Sequence, residues 1–172
     1  MTAPDDGRFH ELIGYKEDVF RICLGFSRNI ADAEDLCQDA FLKAFARARD
    51  LRQPGSLRIW LLRIARTTCL DHSRRMRRNP IDLADVVPDT AADPRSPEIV
   101  SEVNESLRRL KAAVQSLPKK QREVFVLREY GGLSYEDLAR VLKLRPGTVM
   151  SRLNRARRAI TAAMKEEGHE RK

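Results

Sequence analysis

Residues 133–153 read LSYEDLARVLKLRPGTVMSRL, two short helical patterns parted by a break of three residues. Ser134 is placed as an N-cap, Asp137 stands three residues on as its capping-box partner, and Leu133 and Leu138 occupy the positions of a hydrophobic staple. Leu138, Ala139 and Leu142 then form one apolar stripe. Arg145 precedes Pro146, and proline suits the first turn of a new helix because its missing N–H has no intrahelical partner there. Val149 and Leu153 supply the second helix with a face to bury. The layout is that of a helix-turn-helix, whose second helix can lie in the major groove of DNA.

The flanking residues extend this unit. In 117–142, LPKKQREVFVLREYGGLSYEDLARVL, Leu117-Pro118 ends one helix and begins another. Val124, Phe125 and Leu127 supply core, and Gly131-Gly132 turns the chain into the capped helix. Beyond the break, Pro146, Gly147 and Thr148 are small, so backbone N–H groups there can approach a phosphate or a base edge. Ser151, Arg152 and Arg155 continue along the helix, and arginine can hold guanine in a bidentate grip or take a phosphate. Arg157 and Arg158 extend its basic character.

The rest of the chain is charged in blocks. Of 172 residues, 34% are charged and the net charge is +8. Residues 1–42 carry 4 Lys/Arg and 9 Asp/Glu, 43–78 carry 11 and 2, 79–105 carry 1 and 7, and 106–172 carry 17 and 7. Two separate basic segments predict two separate contacts with nucleic acid. No apolar run approaches a membrane span, and the start, MTAPDDGRFHE, lacks the basic-then-apolar order of a signal peptide. Cys23, Cys37 and Cys69 are odd in number and without CxxC spacing, which argues against a disulfide framework or zinc ribbon and for a reducing cytoplasm.

Helical periods dominate throughout. They predict helices near 8–27, 31–49, 56–77, 100–115, 119–130, 134–142 and 146–165, an all-α chain. Residues 79–99 change character, with four prolines, many acids and few large apolar side chains. They predict a flexible acidic linker between two small bundles, 1–78 and 100–172.

Two further blocks need a reason. In ADAEDLCQDAFLKAFARA (31–48), Asp32 is placed to cap the helix, and Ala33, Cys37, Ala40, Phe41 and Ala44 line one face. Asp35, Gln38, Asp39 and Leu42 line another, acidic with an apolar spot. An acidic face does not serve DNA binding; either it is plainly solvated or it meets a basic protein. In SLRIWLLRIARTTCLDHSRRMRR (56–78), Leu57, Trp60, Leu61, Ile64 and Thr68 make a buried face. Arg63, Arg66, Arg74 and Arg77 recur opposite, thickened by Arg75 and Arg78. Such a helix can track a nucleic-acid backbone while apolar groups hold unstacked bases. Cys69 and His72 stand three apart without further ligands nearby, so no metal is expected. Nor is a cofactor or catalysis, because no nucleophile–base pair, Walker loop or dinucleotide fingerprint is present.

These blocks and their order resemble the extracytoplasmic-function (ECF) group of bacterial sigma-70-type transcription initiation factors. DAEDLCQDAFLKAF, RIWLLRIARTTCLDHSRR and the run from Leu117 to Ile160 carry the resemblance. It implies a region-2 domain at 1–78, a linker at 79–99 and a region-4 domain at 100–172. It implies that Asp35, Gln38, Asp39 and Leu42 dock on the clamp helices of the largest subunit of core RNA polymerase. It implies that Leu51, Trp60, Arg63, Arg66, Thr67, Arg74 and Arg75 capture and melt the −10 element, with a flipped base received near Leu51–Ser56. It implies that Arg145, Pro146, Thr148, Ser151, Arg152, Asn154 and Arg155 read the −35 element as duplex. Thr67 stands where the family usually has asparagine, Met150 where it is often basic, and Asn154 where it is often aromatic or large, so base preferences differ accordingly. The partners implied are core RNA polymerase, promoter DNA and an anti-sigma factor. A stand-alone helix-turn-helix regulator would explain 117–158 alone and leave the acidic helix and the 56–78 block idle. A sigma-like interaction protein that binds no promoter would leave the arginines of both DNA faces unexplained.

Overall fold

The computed structural model describes residues 6–48, 57–78 and 97–166, and its regular structure among them is helical throughout. Helices α1 (Asp6–Gly14), α2 (Lys16–Phe26), α3 (Ile30–Arg47) and α4 (Leu57–Arg78) form the N-terminal half. Helices α5 (Pro97–Ser116), α6 (Lys119–Phe125), α7 (Tyr135–Leu142) and α8 (Pro146–Glu166) form the C-terminal half. The expected linker falls mostly on 79–96, outside the described residues, and α5 begins inside the stretch assigned to it.

Three boundaries differ from the sequence reading, each for a local reason. The single helix expected over 8–27 is two, because Tyr15 leaves the helical region (φ −97°, ψ 14°) and its N–H donates to the Leu12 carbonyl at 3.1 Å. The cap of α3 is Asn29, not Asp32: the Asn29 side-chain oxygen accepts the Asp32 N–H at 2.7 Å. The helix expected over 119–130 changes pitch at Val126, where a π-helical turn (Val126–Tyr130) begins and the Gly131 N–H reaches back to the Val126 carbonyl at 3.1 Å. The chain leaves that turn through Gly132 at φ +62°, a left-handed conformation that glycine adopts without a Cβ penalty.

The helix-turn-helix is as expected. The Ser134 hydroxyl accepts the Asp137 N–H at 3.1 Å, and Leu133 and Leu138 are both fully buried. α7 buries Val141 beside Leu138, with Leu142 only half-buried. It ends at Lys143 in the left-handed region, φ 52°. Val149, Leu153, Ala156 and Ile160 form the buried stripe of α8, at spacings of three and four.

In the N-terminal half, α2, α3 and α4 pack on Val19, Ile22, Cys23, Leu36, Ala40, Leu61, Leu62 and Ala65. Trp60 packs against this core without being enclosed by it. The two halves are in contact. Gly25 of α2 lies against Val126 and Tyr130, Ile22 meets Gly131, and the core runs unbroken from Leu12 to Ile160.

Candidate nucleic-acid and polymerase interfaces

Three helices carry the candidate residues, and the packing decides which side chains are available. On α3, burial of Ala33, Leu36, Cys37, Ala40 and Ala44 turns Asp35, Gln38, Asp39 and Leu42 outward together. Leu42 is 67% exposed, the most exposed large apolar side chain of the described residues. Leu42 thus stands in water on the same face as the Asp35 and Asp39 carboxylates. Lys43, one residue on, points the other way, its Nζ donating to the buried Thr68 hydroxyl of α4 at 3.2 Å.

On α4, Leu57, Leu61, Leu62, Ile64, Ala65, Thr68, Cys69 and Leu70 are buried, so the arginines divide by direction. Arg63 and Arg75 are exposed, and Arg74 is exposed with an Asp71 carboxylate 2.9 Å away. Such a surface pair contributes little and yields readily to a phosphate. Thr67 is exposed, and its hydroxyl bonds back to the Ile64 carbonyl at 2.9 Å, so its methyl and oxygen stay beside the backbone. Arg66 behaves differently from the others. Its Nη2 donates to Glu123 of α6 at 2.7 Å, with the two side chains 19% and 11% exposed. Leu51 lies outside the described residues.

At the start of α8, Arg145 just before it and Pro146 are exposed, as are Asn154 and Arg155 just over two turns on. Thr148, Ser151 and Arg152 are half-buried, and the Ser151 hydroxyl donates to the Thr148 carbonyl at 3.1 Å. The first two turns therefore present a continuous polar face with the helix N-terminus at one end. Met150 stands beside it, 53% exposed. Arg157 is engaged elsewhere: both its Nε (3.1 Å) and Nη2 (2.6 Å) donate to Glu129, whose carboxylate holds the guanidinium above its ordinary pKa. This surface pair links α8 to the π turn.

A basic cleft opens at the junction of the halves, where Arg74, Arg77, Lys119 and Arg122 stand over Phe26 and Leu70. Burial, and then the charges of Arg77 and Arg28, push the Arg122 guanidinium below its ordinary pKa. Arg122 is held by two neighbours, Gln115 Oε1 at 2.9 Å and the Leu117 carbonyl at 3.2 Å, while its Nε is buried without a partner. Arg58, Gln115 and Glu123, which join the halves, were not among the sequence candidates. Only Glu123 left a trace, as a carboxylate at the head of the apolar run EVFVL.

Among the described residues no group of His, Cys, Asp and Glu side chains is arranged to hold a metal, and no helix is long and apolar enough to cross a membrane. Comparison with known proteins covers both halves. Residues 14–90 match Sigma-70 region 2, and residues 107–160 match Sigma-70, region 4. The chain is 33% identical over 162 residues to the RNA polymerase sigma-H factor of Pseudomonas aeruginosa, covering 89% of this chain and 83% of that one. It is 38% identical over 158 residues to the ECF RNA polymerase sigma factor SigM of Mycobacterium tuberculosis, covering 91% and 76%. Among solved structures it is similar to the sigma factor RpoE of Bartonella quintana in complex with the anti-sigma factor NepR, with a TM-score of 0.76, 27% identity, and 94% and 98% of the two chains covered. A helix with an acidic outer face, an arginine-lined helix and a capped helix-turn-helix, in that order and matched over both halves, make this chain a member of the ECF group of the sigma-70 family of RNA polymerase sigma factors.

Proposed function

We propose that the three exposed faces divide the work of promoter recognition among them. The α3 face of Asp35, Gln38, Asp39 and Leu42 docks on the clamp helices of core RNA polymerase. Trp60, Arg63, Arg66, Thr67, Arg74 and Arg75 of α4, with Leu51 before it, receive the melted −10 strand. The α8 face of Arg145, Pro146, Thr148, Ser151, Arg152, Asn154 and Arg155 reads the −35 element as duplex. The functional divisions follow the sequence, with region 2 over 1–78, a linker over 79–99 and region 4 over 100–172. The protein works in the cytoplasm, as a specificity subunit without catalysis of its own, and an anti-sigma factor regulates it. Support for that regulator is the related RpoE, solved in complex with NepR.

One observation carries this reading: an exposed leucine amid acids on a chain of net charge +8, a surface with no use in DNA binding. Run-off transcription from a pool of genomic fragments, with core polymerase and with or without this protein, tests it. New discrete start sites are expected, and Asp39→Arg is expected to abolish them together with co-elution with core. Retained co-elution of Asp39→Arg would show that α3 is not the dock. Arg152→Ala is expected to weaken use of the −35 element by about 1–3 kcal/mol if its contact is bidentate to a base.

A further inference from the structure

Two uncharged residues of α8 stand among the groups proposed to meet duplex DNA, and their directions on the helix decide what they can touch. The buried stripe of Val149, Leu153, Ala156 and Ile160 fixes the inner side of α8. At helical spacing, Gly147, Ser151 and Asn154 lie opposite that stripe, with Met150 on one flank and Arg155 on the other. Met150 is 53% exposed and Asn154 is exposed as well. They are four residues apart, so one stands above the other on the same side of the helix. The glycine beside them has no task inside the fold. A Cβ at Gly147 would meet nothing within 4 Å, and its backbone is not in the left-handed region. Glycine weakens a helix relative to alanine, and here the room it leaves is open only to a group outside the chain.

A methionine on this face loses its water when DNA closes on it. Base edges in the major groove offer it donors and acceptors, with one apolar exception, the C5-methyl group of thymine. Contact with that methyl is the one that gains from taking a flexible thioether out of water. Asn154 is matched to a different base. Its amide sets a donor beside an acceptor in one plane, and adenine presents N7 and N6–H2 in the complementary order. Ser151, next to Met150, has its hydroxyl proton committed to the Thr148 carbonyl at 3.1 Å, so toward DNA it can only accept. Four residues of helix advance about 6 Å, whereas base pairs stack about 3.4 Å apart. Met150 and Asn154 therefore address base pairs one or two steps apart.

We propose that Met150 and Asn154 set the base preference of the −35 contact: the Met150 thioether lies against the C5-methyl of a thymine, and Asn154 holds the adenine of a base pair one or two steps away through N6 and N7. The inference rests on the reading of α8 as the −35 helix, and it adds Met150 to the residues that make the contact. A basic side chain at the same place would instead grip guanine.

The test uses holoenzyme assembled from core polymerase and the full chain, on promoter templates randomised across the −35 region. Sequencing the templates that yield transcripts should show a thymine and an adenine preferred one or two steps apart. In the preferred template, deoxyuridine in place of that thymidine removes the methyl alone and should lower initiation about two- to sixfold. 7-Deazadeoxyadenosine in place of that adenosine removes N7 alone and should lower it about two- to tenfold. Met150→Ala should abolish the first effect and keep the second, and Asn154→Ala the reverse. Both side chains are exposed, so neither change empties the core. Met150→Arg should move the preference at the thymine's base pair to guanine. An analogue effect that persists in the matching alanine variant overturns the inference, as does a preferred element without thymine and adenine at that spacing. Start sites that appear with no preference anywhere in the randomised region overturn the reading of α8 itself, and the inference with it. A clear preference that neither Met150 nor Asn154 shapes removes only the inference.

Discussion

Gly25 tests the seam most directly, because its place in the fold is one that a single methyl group would fill. A Cβ there would stand 2.6 and 2.9 Å from the two methyls of Val126 and 3.4 Å from a ring carbon of Tyr130. Ordinary carbon contacts lie near 3.5–4.0 Å, so the opposing surface must retreat by about 1 Å. Val126 cannot swing aside, being β-branched and fully buried. Overpacking of this kind costs about 1–3 kcal/mol. Alanine also favours the helical state of α2 by up to about 1 kcal/mol over glycine. That gain is the same whether the halves are together or apart, so it cancels from the opening equilibrium and enters only global unfolding. Gly25→Ala should therefore lower the ratio of closed to open chains by about five- to 150-fold while leaving the N-terminal bundle as stable as before, or more so. Dyes at Ala46→Cys on α3 and Glu136→Cys on α7, both exposed, report the separation by energy transfer. With an opening m-value near 1 kcal/mol/M, the urea midpoint for loss of transfer should fall by about 1–3 M, ahead of loss of helical circular dichroism. Identical midpoints for the two proteins would refute the claim that Val126 and Gly25 hold the halves at contact distance.

Three other consequences follow from particular residues. Ser134→Ala removes the hydroxyl that accepts the Asp137 N–H, and should cost about 1 kcal/mol in urea unfolding of the C-terminal half. Lys143 sits at φ 52° without the glycine such a position favours, so Lys143→Gly should stabilise the chain by about 0.5–1 kcal/mol, read as a raised melting temperature. The thiols should be silent in the native protein. Burial pushes Cys37 up to about 11 from an ordinary value of 9.0, and a hydrogen bond with Cys69 and then burial push Cys23 up as well. At pH 8 the thiolate fraction of Cys37 is then about a hundredfold lower than in the unfolded chain, and alkylation monitored by mass should be slowed at least that much. The sign for stability follows: the folded value lies above the unfolded one, so this contribution is complete below pH 9 and is lost as pH rises through about 11.

What was legible in the sequence was what short range determines. Ser134, Asp137, Leu133 and Leu138 act within six residues of one another, and the cap and staple appear as read. The outward set on α3 follows from a buried stripe at helical spacing, and it too appears as read. Failures came where two nearby residues compete or where the partner is distant. Asn29 and Asp32 both offer a side-chain oxygen, and the extended backbone at Asn29 (φ −139°, ψ 174°) gives it the capping geometry. Arg66 reads as one of a row of solvated arginines, since nothing within a helical turn marks it as the one facing Glu123. The π turn at Val126–Tyr130 has no residue signature. It lies at the seam, where Val126 and Tyr130 stand against Gly25.

The seam between the halves combines apolar and polar contacts. Parting the halves would expose apolar side chains at a cost of about 1.5–3 kcal/mol for each large one fully uncovered. Its apolar part includes Ile22, Gly25, Val126 and Tyr130, and belongs to the core that runs through both halves. The remainder is made of groups that water or phosphate can satisfy equally well, namely Arg58 on a carbonyl, Gln115 on two carbonyls, and Arg66 on a carboxylate. A neutral bond of this kind contributes about 0.5–1.5 kcal/mol net, and one that involves a charged group about 1.5–3 kcal/mol. The α3 face, meanwhile, lies on the far side of the buried stripe from these contacts, exposed while the seam is shut.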